Sequence, residues 1–273
     1  MALGLAMKWR AFVGVLLCVW LCVGAAEAGD TAVYKAASVP TAISGFFYTG
    51  VSLGERWSDT AWTTTAIGAA LSSPDARPAN PQNFDSGTAR IGGYAGYVWR
   101  FTPTWVAGFE GDLAWGHSDK TVSGISGTCS VKGCGRSDRA SVEEGWDGSI
   151  RARLGFLVTP SWLVYGTGGI AWQGFEVGGT CGGAFSACAA PHGESVSVTR
   201  SGWTLGAGVD VMLRHNWLAR LEYRFADYGR LDHTFFAHAP ADQVAMSEAL
   251  KTRTLLIGFH YRFDGAQALV AKH

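Results

Sequence analysis

Between Ser44 and Phe263 apolar residues fall at every second position in run after run, and no stretch of this region keeps the 3.6-residue spacing of an amphipathic helix. Eight runs are predicted as strands, at about 44–56, 87–101, 105–117, 147–158, 162–176, 198–213, 217–228 and 250–263. The fold class this predicts is all-β.

Alternation alone does not say whether the apolar face meets a core or a lipid tail, so the opposite face has to decide. In the third run Trp105, Ala107, Phe109, Leu113 and Trp115 share one face, and Glu110 and Asp112 the other. The fourth sets Ile150, Ala152, Leu154, Phe156 and Val158 against Arg151 and Arg153. In the seventh, Trp217, Ala219, Leu221, Tyr223 and Phe225 oppose Arg220, Glu222 and Arg224; in the eighth, Leu255, Ile257, Phe259, Tyr261 and Phe263 oppose His260 and Arg262. A soluble sandwich or lipocalin would bury the apolar faces and send these charges to water. Here the apolar faces are nearly free of charge and rich in large aromatics, while the other faces carry both signs interspersed with glycine. Turned inside out, Glu110, Asp112, Asp210 and Glu222 can pair within a narrow lumen with Arg151, Arg153, Arg220, Arg224 and Arg262. Only a closed barrel can expose apolar side chains to lipid and still satisfy every backbone hydrogen bond.

Spacing supports this reading. Trp105 and Trp115 lie ten residues apart on one face, as do Trp162 and Trp172. Ten tilted strand residues cover roughly 25 Å along a membrane normal, the height of an outer-membrane apolar band between its aromatic girdles. Connections alternate as well: Thr102–Thr104, Thr159–Ser161 and Arg214–Asn216 are three-residue turns, whereas the other links run to about 20 to 30 residues. Short periplasmic turns and long external loops are the layout of a transmembrane barrel. Trp105, Trp162 and Trp217 each open a strand directly after a short turn, which places them in the inner-leaflet aromatic belt.

The ends and the composition add compartment. Lys8 and Arg10 precede an apolar run from Ala11 to Val23, then small residues Ala26–Ala28, the pattern of a secretory signal; a retained anchor is the alternative, disfavoured because the run is short for a membrane span. Residues 1–28 are thus expected to be a leader, 29–43 an N-terminal periplasmic segment, 44–263 the barrel and 264–273 a tail. Without the leader 20 basic residues face 21 acidic ones, a net charge of −1 that carries no footprint for nucleic acid. Cys129, Cys134, Cys181 and Cys188 lie in glycine- and serine-rich stretches expected outside the cell. Local disulfides are the favoured reading, with zinc ligation disfavoured by the spacing and by a single nearby imidazole, His192. No metal and no cofactor are expected.

The stretches "SGFFYTGVSLG", "GGYAGYVWRF", "GSIRARLGFLVTPSWLVYGTGGIAW", "GWTLGAGVDVML", "NWLARLEYRFADYG" and "LIGFHYRF" resemble the small eight-stranded OmpA-like outer-membrane proteins, the porin or outer-membrane immunogenic protein family. The resemblance spans about 44–263 and implies an antiparallel up-and-down transmembrane barrel in the outer membrane of a Gram-negative bacterium, with both termini periplasmic. It further implies outer-membrane lipid and lipopolysaccharide as surroundings, and the barrel-assembly machinery as a partner that reads the terminal strand, here Tyr261 and Phe263. The chain departs from the pattern by ten residues after Phe263.

An eight-stranded interior is just wide enough to be filled by side chains, so a structural surface protein with at most a small porin-like conductance is the leading expectation. A surface adhesin or receptor is the alternative, acting through the aromatics Trp57, Trp62 and Phe84 or Phe235 and Phe236. A lipid-modifying enzyme using His192, Glu194 and Ser195, or His233, His238 and Asp242, is the weakest, because no ordered motif links these residues.

Overall fold

A computed structural model describes residues 44–68, 81–125, 138–182, 188 and 190–264. Ten strands form one sheet: β1 (Ser44–Ile67), β2 (Gln82–Asn83), β3 (Ser86–Arg100), β4 (Trp105–Trp115), β5 (Ser118–Ser123), β6 (Arg139–Thr159), β7 (Trp162–Cys181), β8 (His192–Arg214), β9 (Trp217–Phe235) and β10 (Val244–Asp264). Eight of them, all but β2 and β5, pair antiparallel with their sequence neighbours in the ring. The ring closes where β1 meets β10, from Phe46↔Asp264 to Ile67↔Val244. Short β2 continues along the β1 edge beyond β3, and short β5 along the β6 edge beyond β4.

Closure satisfies the backbone, so side-chain direction is free to follow the solvent. Val51, Ile91, Ile150, Leu154 and Phe259 point outward and are half or more exposed, while Tyr48, Arg151 and Arg220 point inward and are buried. The exposed face is therefore the apolar one, the arrangement for lipid and the reverse of a soluble sandwich. Its lower rim carries Trp105, Trp162, Trp217 and Phe263, and its upper rim Trp115, Trp203 and Leu255. Just above, Arg253 and Asp59 form an ion pair on the outer surface, marking the return to water.

The three short turns share one device. The carbonyl of the residue before each rim tryptophan accepts a hydrogen bond from the next hairpin: Thr104 from Leu157 N at 2.8 Å, Ser161 from Met212 N at 2.9 Å, and Asn216 from Arg262 N at 2.9 Å. Each turn is thereby tied sideways, and the rim tryptophans are held in one ring.

Strands run well beyond the expected bounds on the outer side. The first continues to Ile67 instead of ending near 56, the fourth starts at Arg139 instead of 147, and the sixth at His192 instead of 198. The third run ends at Trp115, and Ser118 starts β5. Much of what alternation assigns to long loops is thus a β extension of the barrel above the membrane. In this extension the aromatic side chains turn inward. Trp62, Phe84, Phe235 and Phe236 are buried, packed with Ile125, Phe175, Val177, Met246 and Leu250 into an apolar core. The expectation that these four aromatics are exposed loop anchors is therefore corrected: outside the bilayer the surroundings are water, and the apolar surface goes inside. Trp57 alone of that set is half-exposed, at the lipid-water boundary. A smaller cluster of Tyr48, Tyr94, Val98, Val106 and Leu163 fills the lower lumen.

Candidate functional site

Between these two apolar clusters lies a belt of charge. Alternation places its members on the inward face of six different strands, and closure brings them together. Glu110 of β4 receives Arg220 of β9 at 2.5 Å, the hydroxyl of Tyr48 at 2.6 Å, and Arg151 of β6. Arg151 turns its other nitrogen to Glu222 at 2.5 Å, and Glu222 also accepts from Tyr165 at 2.7 Å and Arg224 at 3.0 Å. Asp210 takes Arg153 on one oxygen and the Nε of Arg220 at 3.0 Å on the other. Asp112 accepts from Arg224 at 2.9 Å and Arg90 at 2.6 Å. Arg90 and Arg56 then share Asp147, at 2.7 and 2.8 Å, and Arg56 reaches Glu144 at 3.2 Å.

Six arginines thus meet six carboxylates, so the belt is neutral as a whole. Buried charges are tolerable only when paired and hydrogen-bonded in this way. Aromatic rings complete the packing: the Arg153 guanidinium lies 3.6 Å from the Tyr165 ring centroid, and that of Arg220 4.3 Å from that of Tyr94. His260 sits in the same belt, its Nδ1 3.0 Å from the Tyr94 hydroxyl.

Of the nine lumen residues read from the sequence, eight fall in this network. Arg262 does not: it lies at the periplasmic rim, over the Phe46 ring and beside Asn216. Alternation assigns it the right face but carries no height. The reading also missed Arg56, Arg90 and Asp147, which sit on inward positions near the ends of their runs, and Glu144, which precedes the start of its own.

A second polar group lies at the outer mouth, on the hairpins β7–β8 and β9–β10. His192 Nε2 is 3.0 Å from Asp242 Oδ2, and its ring stacks on Phe236 and meets His238 edge-on. Glu194 accepts the Phe236 N–H at 2.7 Å and lies 3.3 Å from His233. Five of the six loop residues considered for catalysis are therefore gathered by the fold, whereas Ser195 stands exposed on β8 opposite Gly178. Among the described residues no group of three or more His, Cys, Asp or Glu is arranged to hold a metal ion. Cys181 and Cys188 form a disulfide that closes the β7–β8 tip. Cys129 and Cys134 lie outside the described residues.

A closed eight-stranded barrel with a lipid-facing apolar band and a charge-balanced interior defines a small transmembrane β-barrel. The chain belongs to the outer membrane protein beta-barrel domain family, whose model matches residues 44–263, and it is an outer-membrane protein. It is 31% identical over 174 residues to a 31 kDa outer-membrane immunogenic protein of Brucella melitensis, a match covering 63% of this chain and 66% of that one. It is 30% identical over 151 residues to a 22 kDa outer membrane protein of Rhizobium leguminosarum bv. viciae, covering 55% and 58% respectively. The matches thus span less than two thirds of the length of these two relatives. Among solved structures, OprG of Pseudomonas aeruginosa aligns with a TM-score of 0.48 at 10% identity, over 82% of this chain and 99% of that one.

Proposed function

We propose that the protein is a structural, surface-exposed element of the outer membrane that contributes to envelope integrity and neither conducts freely nor catalyses. The observation that carries this reading is the lumen. Arg220, Arg151 and Arg153 cross it in different directions to Glu110, Glu222 and Asp210, and apolar clusters fill it above and below. A continuous water path would have to part several charge-assisted hydrogen bonds at once, each among the stronger of its kind. The polar group at the outer mouth reads as a clasp between hairpins, because Glu194 is engaged by the Phe236 backbone and His233 and, among the described residues, no serine, threonine or free thiol is hydrogen-bonded to the His192–Asp242 pair. Outer-membrane lipid, lipopolysaccharide and the barrel-assembly machinery are the partners this role requires.

Planar-bilayer recording of the refolded protein tests the reading. It predicts no stable open level, and a large, long-lived conductance overturns it. Envelope integrity is read separately, as sensitivity to detergent and to large antibiotics in a strain lacking the gene. Complementation by the intact barrel is the expected result.

A further inference from the structure

The ring of hydrogen bonds is not complete above the membrane. β7 pairs with β8 along its whole length, from Trp162↔Val211 to Cys181↔His192. β8 pairs with β9 only from Arg214↔Trp217 up to Trp203↔Asp227, while β9 continues alone with β10 up to Phe235↔Val244. Among the described residues, the edge of β8 from His192 to Gly202 and that of β9 from Tyr228 to Phe235 therefore have no ladder partner.

The parting is built into the backbone. Asp227 Oδ1 accepts the Gly229 N–H at 2.8 Å, and Gly229 takes a φ of 69°, a left-handed turn that suits glycine and swings β9 out of the ladder. A register shift between Ala249 and Lys251 accompanies it on β10. Higher up the two hairpins meet again, through the Glu194 clasp on Phe236 and His233. The result is a slot with a closed foot and a clasped top. Its eight β8 residues, Ser195–Gly202, span about 26 Å at the usual strand rise. Trp203 of the outer aromatic rim stands at its foot, so the slot opens to the cell exterior.

Native edges are normally guarded by charge, proline or a covering segment. The outward residues of the β8 edge are Ser195, Ser197, Thr199 and Ser201, with neither charge nor proline, whereas the β9 edge across the slot carries Arg230 and Asp232. By contrast, the free edge of β5 is six residues long and carries Asp119 and Lys120, and part of the β1 edge is covered by β2. On the inner side Val198 and Leu231 pack against the upper apolar core.

We propose that the β8 edge at Ser195–Gly202 is a docking site for an extended peptide segment of a partner protein outside the cell, bound by strand addition. Alternating backbone donors and acceptors along an open edge are matched by another extended backbone and by little else. The inward residues of the added strand would be apolar, to lie on Val198 and Leu231, and the outward ones small and uncharged. This goes beyond the structural role above, and it holds whether or not the lumen conducts.

The experiment is residue-resolved amide hydrogen exchange on the full barrel in lipid nanodiscs, with and without the synthetic peptide Lys-(Thr-Val)4-Lys. In the free protein alternate amides of 195–202 should exchange at least ten-fold faster than those of 204–212. Peptide up to millimolar concentration should slow them at least ten-fold. The same peptide with proline at every second position should not, and paired S197K and T199K substitutions should abolish the effect while the boiled and unboiled gel bands still show a folded barrel. Three results overturn the proposal: amides already slow in the free protein, meaning that another segment closes the slot; slowing that follows protein concentration alone, meaning a second copy; or no protection by the peptide.

Discussion

Glu110 and Arg220 stand 110 positions apart in the chain and on different strands of the ring, yet their side chains meet at 2.5 Å in the middle of the lumen. Both are buried, and each has further partners, Arg151 and Tyr48 for the acid, Asp210 for the base. Removing one member leaves opposite charge uncompensated in a low-dielectric interior, which costs about 3–5 kcal/mol. E110Q and R220M should each lower stability by about that amount in urea titrations of the lipid-embedded barrel. The double variant E110Q/R220M should lose less than the sum of the two, because it removes both charges together. Strict additivity would show that the pair is uncoupled.

Val51 lies midway up the outer face of β1 and is 64% exposed. A cation there would sit near the bilayer midplane, at a cost of about 2–4 kcal/mol. V51K should destabilise the folded barrel in bilayers by that amount. Asp59, outward on the same strand above the rim, should tolerate D59K within about 1 kcal/mol, since surface ion pairs contribute little. Equal sensitivity at the two positions would contradict the depth assigned to the lipid face.

Much of this was legible in the sequence, and the part that was not has one physical cause. Within the membrane, alternation reports faces cleanly: Val51 and Leu53 go to lipid and Ser52 inward, and Phe109 goes out while Glu110 goes in. Farther along the same strand the surroundings change from hydrocarbon to water, and the sign of the pattern reverses. Trp62 points inward on the side of the strand that Ser52 and Arg56 occupy below, and Asp59 takes the outward side of Val51. Under a single rule, such a strand stops at its own rim. That is why residues 57–67 of β1 and 244–249 of β10 read as loop, and why Trp62 and Phe235 read as exposed. Asp147 was missed for a related reason, since it stands where the pattern changes phase, beside the register shift between Glu144 and Asp147; Arg56 keeps the phase but stands at the end of its run, where the outward side has already turned polar at Glu55.

Glu248 lies in the outer extension of β10, inward and well above the rim residue Leu255, outside the membrane-spanning part. Its carboxylate is fully buried, and among the described residues neither oxygen has a hydrogen-bond partner. Burial pushes its pKa up to about 7 from 4.5, against the nearby Arg200 and reinforced by Glu144. Between those two values the unfolded chain has released the proton and the folded chain has not, so stability falls as pH rises from about 4.5 to about 7 and levels off above. The loss is on the order of 3 kcal/mol. E248Q should remove this slope and stabilise the outer extension above pH 7. Limited proteolysis of that extension across the pH range measures it, and an unchanged pH profile in E248Q would assign the slope elsewhere.

The tie between each short turn and the next hairpin fixes the depth of a tryptophan. Thr104, Ser161 and Asn216 give their carbonyls to Leu157, Met212 and Arg262, and the residue after each is Trp105, Trp162 or Trp217. All three indoles are exposed to the outside at the lower rim, where an apolar ring with one N–H donor suits the head-group boundary. Trp115 and Trp203 occupy the opposite rim. Variants retaining one tryptophan at a time, measured by fluorescence quenching with lipids brominated at known depths, should give a single depth for Trp105, Trp162 and Trp217. Because symmetric vesicles do not tell the leaflets apart, an aqueous quencher added outside oriented vesicles should then reach Trp115 and Trp203 but not Trp105, Trp162 or Trp217. A spread of more than about 5 Å among the first three, roughly two strand residues at the usual tilt, would mean that the short turns do not lie at one height.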